Sequence, residues 1–220
     1  MLFRHRALFR LPTLSRGFLW GSGGGGGPSR LAPNELVTAW MDDPSLVSPS
    51  LSLWRRSELF LSLRLLPGLN LKEFLRGAAV AYPVVCSAMY TRDWDALAPL
   101  VAPRCLEAMQ EAMDGMAEVG QRVSLAPDGS DLTVLSATLA RAQVLQTSDE
   151  VPQGSCLLHV KYTVRETYSI IDCHSNAPMP PFDGSVREQE STWVFEGIVR
   201  PEGEGDREEE EPDWKVHGIV

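Results

Sequence analysis

The chain has 220 residues, 44% of them hydrophobic, which is enough for one substantial core but not for two. Its net charge of −9 hides an asymmetry, because Arg4, Arg6, Arg10, Arg16 and Arg30 are the only charged residues, histidine apart, before Glu35. Losing those five positive charges takes −9 to −14, a balance that opposes nucleic-acid phosphates unless the remaining basic residues gather on one face.

Residues 1–30 carry arginines, hydroxyl residues and leucines with no acid, the composition of a mitochondrial transit peptide, and Gly23 to Gly27 form a flexible tether. Arg10 and Arg16 divide the apolar residues too finely for a secretory signal, which needs an unbroken centre of ~7 to 15 residues. Arg16-Gly17-Phe18 has the form of a matrix-processing site, with cleavage after Phe18 or a little later.

Residues 31–66 read as a linker, fragmented by Pro33, Pro44 and Pro49. Trp54 to Leu66, WRRSELFLSLRLL, is the exception. It reads as an amphipathic helix lying in a membrane interface, with Trp54, Arg55, Arg56, Phe60 and Leu63 as the membrane-contact residues. An ordinary helix packed on the domain is the alternative for the same residues. Spanning a bilayer needs ~20 apolar residues, and no segment supplies them without charge.

The domain proper is expected over 67–220. Asn70 can cap a helix, Glu73 can bond back to the cap's own N–H, and Leu69 can pack on Phe74. Leu71, Phe74, Leu75, Ala78, Tyr82, Val85 and Met89 then recur at helical spacing, with a kink or short break expected at Pro83. Thr91-Arg92-Asp93 offers caps for a second helix containing Trp94, Leu97, Leu100 and Val101. Pro103 opens its continuation, in which Leu106, Met109, Met113, Met116 and Val119 form a stripe that Gly120 stops.

After Gly120 the period changes to alternation. A strand is expected within Leu132 to Gln146, then a long one from Cys156 to Ile170, in which Leu158, Val160, Tyr162 and Val164 alternate with polar residues. HSNAPMPPFDG reads as a turn, followed by a strand near Arg187 to Val199 and a last one from Trp214 to Val220. The acidic run at 201–212 reads as a solvated hairpin loop. Helices first and simply connected strands second define an α+β fold, with N-terminal helices on an antiparallel sheet.

The chemistry-bearing residues form no constellation. Cys86, Cys105, Cys156 and Cys173 contain no CxxC pair and read as buried or free thiols. Cys173 and His174 are adjacent, but His159 and His217 fall on separate strands, so no metal or cofactor site is expected. Asp172, Cys173 and His174 are sequence neighbours in a turn and poorly placed to converge for nucleophilic catalysis. No glycine-rich phosphate loop stands between a strand and a helix.

Several phrases of the chain resemble the Tim44-like family, named for the peripheral matrix subunit of the inner-membrane presequence translocase. They are PGLNLKEFLRGA at 67–78, RDWDALAPLVAPRCLEAM at 92–109, STWVFEG at 191–197 and PDWKVHGIV at 212–220. The resemblance implies an NTF2-like cone, a curved antiparallel sheet with helices across its concave face, often enclosing an apolar pocket. It also implies the mitochondrial matrix and peripheral contact with the inner membrane. Among the family's jobs, the expected one is a non-enzymatic adaptor that binds an inner-membrane AAA protease, or translocation and insertion machinery, or its imported membrane-protein clients. The inner-membrane lipid surface is its second partner. The alternatives are a large-ribosomal-subunit protein near the exit tunnel, the one case in which RNA contact is expected, and a pocket enzyme on the same cone.

Overall fold

The computed structural model describes residues 44–66, 69–126, 130–146, 154–199 and 214–220. The segment read as a transit peptide, the glycine run, the first part of the stretch read as a linker, most of the loop after Gln146 and the acidic run at 201–212 lie outside the described residues.

Among the described residues, a 3-10 turn at Pro44–Leu46 precedes four helices: α1 (Leu53–Arg64), α2 (Leu71–Thr91), α3 (Trp94–Leu97) and α4 (Pro103–Glu118). Seven strands follow: β1 (Gln121–Ser124), β2 (Leu132–Gln146), β3 (Gly154–Glu166), β4 (Ser169–Asp172), β5 (Ala177–Asp183), β6 (Arg187–Val199) and β7 (Lys215–Ile219). They form a four-stranded sheet ordered β2-β3-β6-β7 and a three-stranded sheet ordered β1-β4-β5, antiparallel throughout. The architecture is α+β, with the N-terminal helices packed on antiparallel sheets.

The N-terminus of α2 forms as its residues dictate. The Asn70 side-chain oxygen accepts from the Glu73 N–H at 3.1 Å. Glu73 answers by accepting from the side-chain amide of Asn70 at 3.1 Å, rather than from the cap's backbone N–H. Leu69 and Phe74 are both buried.

Pro83 does not break the helix, which runs unbroken from Leu71 to Thr91. A proline withdraws one backbone donor from the preceding turn. Just before it, the buried Tyr162 hydroxyl donates to the Ala78 carbonyl at 2.9 Å, and Tyr82, Val85 and Cys86 pack inward on both sides of the proline. Side-chain packing keeps the chain helical across the proline.

The second helix is a single turn, α3, capped by the Asp93 carboxylate accepting from the Ala96 N–H at 3.2 Å. In α4 Cys105, Met109 and Met113 are buried, while Val119 is 57% exposed and sits past the helix end. Gly120 follows with φ of 71°, the left-handed conformation that suits a helix stop.

The single long strand expected through Ile170 is two. Asp131 divides them: its carbonyl accepts from the Thr167 N–H at 2.9 Å and its carboxylate from the Thr167 hydroxyl at 2.7 Å. The chain bends there, and β4 pairs with β1 and β5 instead of continuing the larger sheet. Both of those partners were unexpected, since β1 is only four residues long and β5 lies inside the proline-rich stretch read as a turn.

The edges of the larger sheet are partly covered. Val47 bridges to Leu139 on β2, and Val101 bridges to Val216 on β7. Ser48 N–H donates to the Leu139 carbonyl at 3.0 Å, and Ala102 N–H to the Val216 carbonyl at 2.8 Å. Short segments of this kind limit edge-to-edge pairing.

The inward row of β3, Cys156, Leu158, Val160, Tyr162 and Val164, is fully buried beneath the helices. Leu59 and Leu63 of α1 belong to the same core as α2 and the sheet. The stretch read as a linker therefore contributes part of the core.

Candidate functional site

The space between α2 and the sheet is occupied by aromatic side chains. Tyr82 lies 4.7 Å from Trp193 and 5.0 Å from Tyr162 between ring centroids, and Phe74 lies 4.6 Å from Trp214 and 5.6 Å from Phe195. These rings pack against one another where the resemblance implies an apolar pocket. One carboxyl group is sealed among them. Glu166 is fully buried, one oxygen accepts from the Tyr82 hydroxyl at 3.2 Å, and the other has no hydrogen-bond partner among the described residues.

Burial raises the Tyr82, Tyr90 and Tyr162 phenols and the Cys86 thiol well above their ordinary ranges. The Cys105 and Cys156 thiols are pushed up to about 11 by burial, with Glu196 adding to the rise at Cys156. All are neutral at physiological pH, and all but the partly exposed Tyr90 are closed to solvent, an arrangement that suits packing better than turnover. The described residues contain no group of three His, Cys, Asp or Glu side chains able to hold a metal ion.

An open groove of about 420 Å³ runs along the C-terminal half of α2, lined by Pro83, Val84, Ser87, Thr91, Asp131 and Leu132 among others. It lies outside the aromatic interior: Leu132 is the cross-strand partner of Glu166. The Asp131 carboxylate in its wall is already engaged, accepting from Thr167 and from the Ala126 N–H.

The surface that stands out is the outer side of α1. Ser52 caps this helix, accepting from the Arg55 N–H at 3.4 Å. Leu59 and Leu63 point into the core, each 2% exposed. On the opposite side Trp54, Leu61 and Leu65, spaced seven and then four residues apart, are 82%, 61% and 67% exposed, and Leu53 beside them is 83% exposed. An ordinary amphipathic helix presents polar residues to water on that side.

The five residues singled out from sequence are divided by this geometry. Trp54 and Arg55 are exposed. Arg56 is half-buried and donates to the Pro49 carbonyl at 3.2 Å, and Phe60 is half-buried on the flank. Leu63 faces the core, so its side chain is not available to a surface partner in this fold. Leu53, Leu61 and Leu65 take its place. The helix carries apolar residues on two opposite faces, so periodicity alone does not tell which face meets the sheet; the seven-residue interval from Trp54 to Leu61 was the available signal.

Charge is distributed to match. Arg55, Arg56, Arg64, Lys72 and Arg76 face only Glu58 and Glu73 across α1 and the first turns of α2. On α4 the exposed side carries Glu107, Glu111, Asp114 and Glu118, with Arg92 pairing Asp114 at 3.2 Å. No described helix is long and apolar enough to cross a membrane.

A helical layer on antiparallel sheets, with aromatic rings packed between them and an exposed apolar helix face, defines a domain whose distinctive chemistry is at its surface. The model of the Tim44-like domain matches residues 62–220, and the chain belongs to that family. Tim44-like domains are generally non-catalytic. A search of curated proteins returned no match. Among solved structures the chain is similar to the intermembrane space region of chloroplast protein ARC6, at 13% identity and a TM-score of 0.34, over 64% of this chain and 94% of that one.

Proposed function

We propose that this Tim44-like protein is a non-enzymatic adaptor of the mitochondrial matrix. It rests on the inner membrane through α1 and presents its domain to an inner-membrane AAA protease, or to translocation machinery or its imported clients. The observation that carries the reading is the exposed row of Trp54, Leu61 and Leu65 opposite the buried Leu59 and Leu63. Exposed leucines beside a tryptophan and flanked by arginines suit a lipid interface, where the rings and branched chains sink to the headgroup boundary and the guanidinium groups meet phosphate. The acid-free, arginine-rich residues 1–30 support the matrix address.

The test replaces Trp54, Leu61 and Leu65 together by serine in the full-length protein, which leaves the core residues of α1 in place. In fractionated mitochondria the variant should move from the membrane pellet to the soluble matrix fraction while remaining folded. Unchanged pelleting would overturn the membrane reading. Proximity labelling from a C-terminal tag then tests the adaptor role: enrichment of AAA-protease or translocation subunits supports it, and enrichment of large-ribosomal-subunit proteins would replace it.

A further inference from the structure

β2 is the terminal strand of the larger sheet, and β3 is its hydrogen-bonded neighbour on one side only. On the other side, among the described residues, the chain meets it at a single place, where Val47 bridges to Leu139 and the Ser48 N–H donates to the Leu139 carbonyl. The half from Leu132 to Thr138 has no backbone partner there among the described residues. The groove along α2 reaches this open half. Its apolar lining is Pro83, Val84, Leu125 and Leu132, and Val84 is 50% exposed. Both carboxylates in the lining are engaged, Asp131 as described above and Asp93 as the cap of α3. Apolar walls without an unpaired charge suit an uncharged, apolar segment.

The chain itself delivers such a segment. Residues 1–43 lie outside the described residues, and they join the domain at Pro44, in the turn that touches both α2 and β2. Val47 bridges to Leu139 in the parallel sense, so the residues before it approach from the Leu132 end of β2. Leu139 back to Leu132 is ~23 Å at strand spacing, of which the 3-10 turn covers ~6 Å. Roughly five extended residues before Pro44 then reach Leu132. That count sets Leu36 to Met41 against the groove. Leu36-Val37-Thr38-Ala39-Trp40-Met41 carries no charge, and its valine, threonine and tryptophan favour strands. We propose that residues 36–41 lie extended along the open edge of β2, with alternate side chains in the α2–β2 groove. The protein's own N-terminal arm then occupies the groove, and a partner peptide enters only by displacing it. Pairing this edge also withdraws the backbone groups that a strand of another molecule would use.

The experiment uses the full chain with Cys173→Ser and Val84→Cys, and a second cysteine placed in turn at each of residues 36 to 41. The other three cysteines are buried. Under mild oxidation, intramolecular disulfides read by mass spectrometry should form at alternate positions, as an extended segment with one side toward α2 requires. Replacing Val84→Cys by Glu188→Cys should abolish them, because Glu188 lies two strands from Thr133 on the side of the sheet away from the helices. Equal cross-linking at all six positions, or equal cross-linking to 188, would show random collision and overturn the proposal. No disulfide at any position would overturn it as well. Disulfides formed only between molecules would overturn it in favour of a second copy seated in the groove. Independently, adding Val37→Asp and Trp40→Asp to the Val84→Cys, Cys173→Ser chain should speed maleimide labelling of residue 84 about tenfold, as expected when two large apolar side chains leave an apolar seat. An unchanged labelling rate would overturn the occupancy.

Discussion

The Tyr82 hydroxyl and the Glu166 carboxylate meet at 3.2 Å inside the core, one from the middle of α2 and the other from the last residue of β3. They are 84 residues apart in sequence, and neither is exposed beyond 3%. With the Tyr162 hydroxyl that donates to the Ala78 carbonyl, the pair forms a buried polar link between the helical layer and the sheet, and it sits among rings that would close over an apolar substitute.

Removing the donor alone should therefore be costly. Tyr82→Phe leaves Glu166 buried with neither oxygen bonded, and we expect a loss of about 1–3 kcal/mol. Adding Glu166→Leu to that variant should recover most of it, since no buried polar atom is then stranded. Urea unfolding of the two single variants and the double variant checks this; additive losses would show that the pair does not act as a unit.

Gly197 on β6 lies under the Trp214 ring, so closely that a Cβ would fall well inside van der Waals contact with it. Trp214 in turn packs on Phe74 of α2. Gly197→Ala should displace the indole and loosen the start of α2, at about 1–3 kcal/mol of stability. Thermal unfolding followed by tryptophan fluorescence reads both effects.

The two mid-helix glycines behave in the opposite sense. Gly77 and Gly115 have ordinary helical backbone, and an added Cβ meets nothing within 4 Å at either. Alanine at each should stabilise by about 0.5–1 kcal/mol through higher helix propensity. An unchanged denaturation midpoint would show that helix propensity does not limit stability at these positions.

His159 supplies a pH dependence. Burial on the outer side of the sheet lowers its pKa from the ordinary 6.5, and Arg141 and His217 lower it further. A histidine depressed in the folded state binds its proton more readily when unfolded. Stability is therefore full above the unfolded value and declines as pH falls through it toward the folded one. Measured between pH 7 and pH 5, roughly the span in which an unperturbed histidine titrates, His159→Gln should flatten the decline. A profile identical to wild type would remove His159 as a source.

Most of the fold was legible in local chemistry. The Asn70 cap, the inward row from Cys156 to Val164, the β6 strand carrying Trp193 and Phe195 and the final strand from Lys215 to Ile219 all follow from capping and period, which act over a few residues. The α+β order followed from where the period changes, near Gly120. What needed the tertiary structure was everything settled by a distant partner. Pro83 remains inside an unbroken helix because the residues around it are packed against the sheet. The strand from Cys156 bends at Thr167 because Asp131 holds it. β1 and β5 exist because β4 pairs with them, not because their own residues alternate. The candidate surface divides the same way: sequence marked the stretch containing Trp54 and its arginines, while burial of Leu59 and Leu63 against the sheet decided that Leu61 and Leu65, rather than Leu63, accompany Trp54 on the outside. A helix with two apolar faces has one set of spacings for both, and only the element it packs on determines which face remains in contact with the surroundings.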